Sequence, residues 1–409
     1  MARLRPFPSG RPTRALAARV ASVPYDVVDT REARALAAGN RHSFLHVCRP
    51  EIDLPEDTDI HAAAVYAKGR ENLDRFYADG TLVGDPVPRL LVYRQTWKGR
   101  RQDGLVAACS VDDYDTDVIR KHEKTRRDKE DDRVAHLLAQ SAHAEPVFLT
   151  YRATDAISAR ARRVTAAPPE FDFEAPDGVR HTLWIVPETD VAFFTAAFAA
   201  VPLLYVADGH HRSASASRAR AALKEKLGSL PDEHPVNWFP ATIFPDCELA
   251  ILPYNRVVKD LGGLGKEDFL RKVRERFDLR PAEAPEPRRR GEFSLYFEEN
   301  WQTLTLKEPV SSKDPVATLD VSILQDRLLG PVLGIGDPRT DPRIDFVGGI
   351  RGMGELEERV RSGRGAVAFA MYPTQISDVM AIADAGATMP PKSTWFEPKL
   401  RSGLFVHRF

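Results

Sequence analysis

Between residues 203 and 217 the chain reads Leu203-Leu204-Tyr205-Val206-Ala207-Asp208-Gly209-His210-His211-Arg212-Ser213-Ala214-Ser215-Ala216-Ser217. An acid, two histidines and an arginine crowd one turn. Asp208 can ligate a hard divalent cation such as Mg²⁺. His210, His211 and Arg212 can neutralise a transferring phosphoryl group, and Ser213 can add a hydroxyl donor. The competing reading makes Asp208 a turn residue and Arg212 its surface partner. Two adjacent histidines between Asp-Gly and Arg are hard to explain by packing.

Two other stretches carry the same kind of chemistry. The run Ile119-Arg120-Lys121-His122-Glu123-Lys124-Thr125-Arg126-Arg127-Asp128-Lys129-Glu130-Asp131-Asp132-Arg133 is dense in charge. Such runs are commonly solvated helices with i,i+4 pairs. Here a His-Glu pair precedes the helix, so Glu123 is a candidate general base, with His122 and Thr125 as substrate contacts. Near the C-terminus, Pro390-Pro391-Lys392-Ser393-Thr394-Trp395 offers clustered donors on a proline-stiffened loop, suited to a phosphate or carboxylate. Its alternative is a tail that packs by its aromatic residues. Asn255 and Arg256, just after the strand expected at 249–252, are further candidates for substrate contact.

These groups need elements to position them. The apolar residues 203–206 predict a short buried strand, Gly209 a tight turn, and Ser213 or a neighbour the cap of a helix ending near residue 223. A short helix is expected at 115–120, a longer amphipathic helix at 59–79, and a hairpin or two consecutive strands over 90–96 and 104–111. Strands at 146–151 and 181–186 alternate with helices at 155–164 and 190–200. That alternation predicts an α/β (α+β) fold. Residues 281–290, with three prolines and a run of arginines, read as a linker. The expected regions are 1–112, a core at 113–280 holding both histidine motifs, and 281–409.

Composition excludes several function classes. The 58 basic and 59 acidic residues leave a net charge of -1, which gives no global field for nucleic acid. Cys48, Cys109 and Cys247 stand far apart, in no zinc spacing, as fits a reducing cytoplasm. The basic N-terminus lacks the apolar core of a signal peptide, and no apolar run reaches membrane-span length. The expectation is a cytoplasmic protein with small-molecule and nucleotide partners and no membrane partner; a homodimer is compatible with it.

Taken together, Val23-Pro24-Tyr25-Asp26-Val27-Val28, Asn40-Arg41-His42-Ser43-Phe44-Leu45, His122-Glu123-Lys124-Thr125, Lys129-Glu130-Asp131-Asp132-Arg133, Tyr205 to Arg212 and Pro391-Lys392-Ser393-Thr394 resemble the domain-of-unknown-function family 1015 over nearly the whole chain. More narrowly, Asp-Gly-His-His-Arg is similar to the signature of free L-serine kinases built on a ParB/sulfiredoxin-like fold. That resemblance implies such a core with larger N- and C-terminal elaborations, Mg²⁺, a donor among ATP, ADP and pyrophosphate, and a glutamate base upstream of the turn, here matched by Glu123. It implies a kinase that converts the hydroxyl of free L-serine to O-phosphoserine. The segment between Glu123 and Asp208 is longer than in those compact kinases. Two other classes stay open: a nucleotide-binding regulator without catalysis, and a metal-dependent phosphodiesterase or nuclease.

Overall fold

The computed structural model describes residues 1–409. The chain forms two compact units, residues 1–249 with 398–409, and residues 250–397.

The first unit is built on a mixed sheet. Across it the strands run Ile119–Arg120, Leu204–Asp208, Val147–Tyr151, Trp238–Pro245, Arg100–Ser110, Leu91–Trp97, Arg180–Ile185 and Phe171–Glu174, and Leu4–Arg5 pairs beside Arg100–Ser110. The hairpin Leu91–Trp97/Arg100–Ser110 turns at Lys98 and Gly99, both at positive φ. Helices Asp155–Val164, Glu188–Ala199 and His210–Leu227 connect strands of this sheet. Apolar side chains such as Leu149, Phe198, Leu204, Val206, Phe239 and Ile243 bury together between sheet and helices. The α/β class expected from the alternation is therefore present, and the helix expected at 155–164 is found with those bounds.

Three local expectations are corrected. Residues 115–120 are not one helix: a helix ends at Asp115, and Ile119–Arg120 is a strand that pairs parallel with Leu204 and Tyr205. The long helix expected at 59–79 begins only at Ala63. Residues 281–290 are no linker. Pro281 ends a strand and the rest form a loop inside one sheet, because Phe277–Pro281 and Glu292–Phe297 both pair with Asn300–Leu306.

A small antiparallel sheet of Leu82–Gly84, Ser9–Pro12, Val406–Arg408 and Ala142–His143 ties residues 398–409 to the first unit. The second unit carries a six-stranded antiparallel sheet ordered Phe277–Pro281, Asn300–Leu306, Glu292–Phe297, Val367–Met371, Tyr254–Val258 and Ile344–Gly348. Its core includes Val257, Tyr296, Val347, Leu356 and Ala368. No helix of the protein is long and apolar enough to cross a membrane.

Candidate functional site

The strand Leu204–Asp208 is buried through Ala207 and partly open at Asp208. Its register against Val147–Tyr151 shifts between Val206, opposite Leu149, and Asp208, opposite Phe148. Ala207 is the extra residue of a β-bulge, and a bulge re-aims the side chain that follows it. Gly209 then takes φ +93°, a left-handed conformation that side chains disfavour. The chain enters a helix at once, at His210. Ser213 is therefore not the cap: it sits inside the helix, buried, and its Oγ donates to the Gly209 carbonyl at 3.0 Å. The first-turn N–H groups of this helix have no intrahelical acceptor, and they lie beside Asp208 and the two histidines.

Asp208 and Lys399 form an ion pair at 3.2 Å, with side chains 25% and 17% exposed. Burial pushes the Asp208 carboxyl up, but Lys399 and Arg212 outweigh it and hold the group well below the usual carboxylate range. Asp208 is thus a persistent anion. Arg212 is buried and engaged elsewhere: it donates to the Pro146 carbonyl at 3.0 Å and to both Asp26 oxygens at 3.2 Å. Burial opposes its charge, yet Asp26, Glu145 and Asp208 more than restore it. Asp26 and Glu145 also bracket Tyr25, whose ring lies 4.0 Å from the Arg133 guanidinium and whose backbone N–H donates to Glu145 at 3.1 Å. Beside this cluster a partly open pocket of about 40 Å³ is lined by Cys48, Arg133, His136, Glu145, Arg212 and Ser215. It has room for on the order of three waters.

The parallel pairing of Ile119–Arg120 with Leu204–Tyr205 delivers both strand ends to the same side. His122 and Glu123 therefore meet the Asp208 turn, although 85 residues separate Glu123 from Asp208. The His122 and His210 rings pack edge to face, 4.4 Å between centroids. The Glu123 carboxylate, with its side chain 51% exposed, lies 3.7 Å from Nδ1 of the buried His210. Burial brings His122 down to about 4 and holds His210 well below its ordinary value. His211 is half-buried and also lowered by burial, and its Nε2 accepts the Arg126 backbone N–H at 3.1 Å. All three imidazoles are neutral near pH 7, so they contribute donors and lone pairs rather than charge. Thr125 donates to Glu130, which also pairs with Arg218 at 3.0 Å.

Asn255, Arg256, Lys392, Ser393 and Thr394 belong to the second unit. There Asn255 accepts the Met371 N–H at 3.0 Å. Buried Arg256 donates to the carbonyls of Tyr254 and Lys392, and burial lowers it to about 9. Ser393 donates to the Pro390 carbonyl at 2.6 Å, and Thr394 leads into the strand Trp395–Glu397. Two residues that the sequence reading passed over join the turn itself, Asp26 and Lys399. The signals were there: Asp26 sits in the Val-Pro-Tyr-Asp motif, and Lys399 ends the proline-rich C-terminal stretch.

The chain is similar to several solved structures. For a free serine kinase in complex with AMP the identity is 13%, covering 72% of this chain and 86% of that one, with a TM-score of 0.33. SbnI with a C-terminal truncation, from Staphylococcus aureus, gives 13% identity over 73% and 85%, with a TM-score of 0.38. A conserved hypothetical protein from Pyrococcus furiosus gives 14% over 73% and 93%, with a TM-score of 0.32. No curated protein matches. The family described as protein of unknown function (DUF1015) matches residues 4–322, which span the Tyr25-Asp26 motif, His122-Glu123 and the Asp208 turn, and the chain belongs to that family.

Proposed function

We propose that the protein is a phosphotransferase that moves a phosphoryl group from a nucleotide or pyrophosphate to the hydroxyl of a small molecule, with free L-serine the first acceptor to test. The observation that carries this reading is the juxtaposition of a persistently ionised Asp208, a helix N-terminus and the half-exposed Glu123 at one sheet end. Phosphoryl transfer asks for positioning and charge stabilisation more than for covalent chemistry, and a helix N-terminus is a ready phosphate site.

In this reading Glu123 accepts the acceptor's hydroxyl proton. The oxygen then forms its bond to the terminal phosphorus as the bond to the leaving phosphate oxygen breaks. His210, His211 and the first-turn N–H groups donate to the phosphoryl oxygens. Arg212 acts as a positioning residue, since its guanidinium holds the turn against Asp26 and Pro146. The Mg²⁺ that the motif resemblance implies fits the donor set, because Mg²⁺ commonly takes one or two carboxylates plus substrate phosphates. Asp208 would hold it, with Lys399 released toward phosphate, and the ion would supply charge neutralisation there.

The test is incubation of the full chain with Mg²⁺, ATP, ADP or pyrophosphate and a pool of hydroxyl metabolites, followed by mass spectrometry. Phosphorylated acceptor is expected with the parental chain and not with Asp208→Asn. Glu123→Gln should lose roughly 10²–10⁴ in rate, the scale for removing a general base, with nucleotide affinity retained. Turnover at the parental rate in both variants refutes the assignment.

A further inference from the structure

The two histidines and the glutamate at the sheet end have a second property that phosphotransfer does not require. His122, Glu123 and His210 each offer one ligand atom, and these atoms all lie within 4.8 Å of one another. Both imidazoles are buried, at 2% and 5% exposure. Neither ring nitrogen of His122 makes a well-formed hydrogen bond, although its ring lies near the Val206 backbone, and His210 Nε2 has no partner. A buried, unpaired imidazole nitrogen costs free energy on the order of 1–3 kcal/mol, so leaving several in one place needs a reason.

We propose that His122, Glu123 and His210 form a binding site for a transition-metal cation of the zinc type, distinct in ligand chemistry from an Mg²⁺ held by Asp208. Two imidazoles and one carboxylate suit zinc, cobalt, iron or manganese, whereas magnesium prefers an all-oxygen shell. Zinc bonds of about 2.0–2.2 Å place neighbouring ligand atoms roughly 3.3 Å apart in a tetrahedron. The His210–Glu123 pair, at 3.7 Å, is already near that spacing. The widest pair has to close by at most about 1.5 Å to meet the same spacing, a movement within reach of the half-exposed Glu123 side chain. Three protein ligands leave a fourth position open to solvent or to a substrate oxygen.

The proposal meets phosphotransfer at two residues: a carboxylate bound to metal is a poor proton acceptor, so the cation competes with the base for Glu123, and it competes with the phosphoryl oxygens for His210. Its test uses no nucleotide and no acceptor. The full chain, stripped of metal with a chelator, is titrated with Co²⁺ and read by visible absorption. One equivalent with a tetrahedral-type band is expected, bleached by Zn²⁺ and untouched by excess Mg²⁺. Glu123→Gln should weaken Zn²⁺ affinity by at least about tenfold, the scale seen even for outer-shell partners, and His122→Asn and His210→Asn should weaken it further. If the histidine variants fail to fold by circular dichroism, the half-exposed Glu123 position decides alone. Absence of the band, equal displacement by Mg²⁺, or parental affinity in Glu123→Gln overturns the proposal. A chain that binds Co²⁺ in this way yet phosphorylates nothing refutes only the phosphotransfer reading, and the converse result refutes only the metal site.

Discussion

Replacing Lys399 with methionine removes the charge that faces Asp208 while keeping the length and apolar stem of the side chain. At 3.2 Å, and with an effective dielectric near 20, the gross attraction is about 5 kcal/mol. Removing one member of a fully buried pair typically costs about 3–5 kcal/mol. Here both side chains keep some solvent access, and Arg212 and His210 remain near the orphaned carboxylate. A loss of about 2 kcal/mol is therefore expected, which for a unit of this size lowers Tm by roughly 4–8 °C. Lys399 makes other contacts as well, so the pair is isolated with a double-mutant cycle of Lys399→Met, Asp208→Asn and the double variant, each measured by denaturant unfolding. The neutral Asp208→Asn no longer needs the lysine, so the double variant should be less destabilised than the two single losses added together. The Asp208 carboxyl should also titrate higher in Lys399→Met, by NMR. A coupling below about 0.5 kcal/mol, the margin of simple additivity, refutes the reasoning and makes Lys399 an ordinary surface lysine.

Other outcomes follow from the same geometry. Gly209→Ala should cost roughly 1–2 kcal/mol, the usual penalty for a side chain in the left-handed region, read as a drop in Tm; the added Cβ would meet its neighbours, Arg212 Nη1 first at 3.4 Å, at ordinary contact distance, so the backbone conformation alone sets the cost. His407, buried and donating to the Pro235 carbonyl at 3.1 Å, is lowered by burial to about 4. Its contribution is complete above the ordinary histidine range near 6.5, where neither state is protonated. Between about 6.5 and 4 the unfolded chain binds the proton and the folded chain does not, so stability falls with pH by roughly 3 kcal/mol. In His407→Gln that part of the acid sensitivity should vanish in pH-dependent denaturation curves, and an unchanged profile would count against it. Asp26→Asn should lower Tm modestly, because its side chain is 38% exposed while the Arg212 it serves is buried.

The strand and turn around Asp208 were legible because a bounded apolar run and an Asp-Gly pair are local signals. The helix start was misplaced by four residues because serine is a strong cap former, whereas Gly209 is at once the turn and the cap. Residues 115–120 looked helical from their composition, but the sheet edge recruited Ile119–Arg120 through pairing with Leu204 and Tyr205. That same pairing is what brings His122 and Glu123 to the turn, so the misread element was the one that assembles the candidate site. Asp26 and Lys399 reach it across separations of 186 and 191 residues. Hydrophobic periodicity carries no information at that range. The basic and acidic run after Glu123 did become a helix, Arg127–Gln140, with Arg133 and His136 turned inward.

Residues 398–409 belong to the first unit although the whole second unit precedes them in the chain. On the ribosome this order has a consequence. The sheet that carries Asp208 emerges first, but its lysine counter-charge and the strand Val406–Arg408 are made only after residues 250–397. The second unit has all its strands in hand before the first can close. Domains generally fold as units in order of emergence, and here the later one is free to finish first. Until Lys399 arrives, the Asp208 turn stands without its counterion, and the anion-attracting end of the His210–Leu227 helix is matured by residues made only after the whole of the second unit.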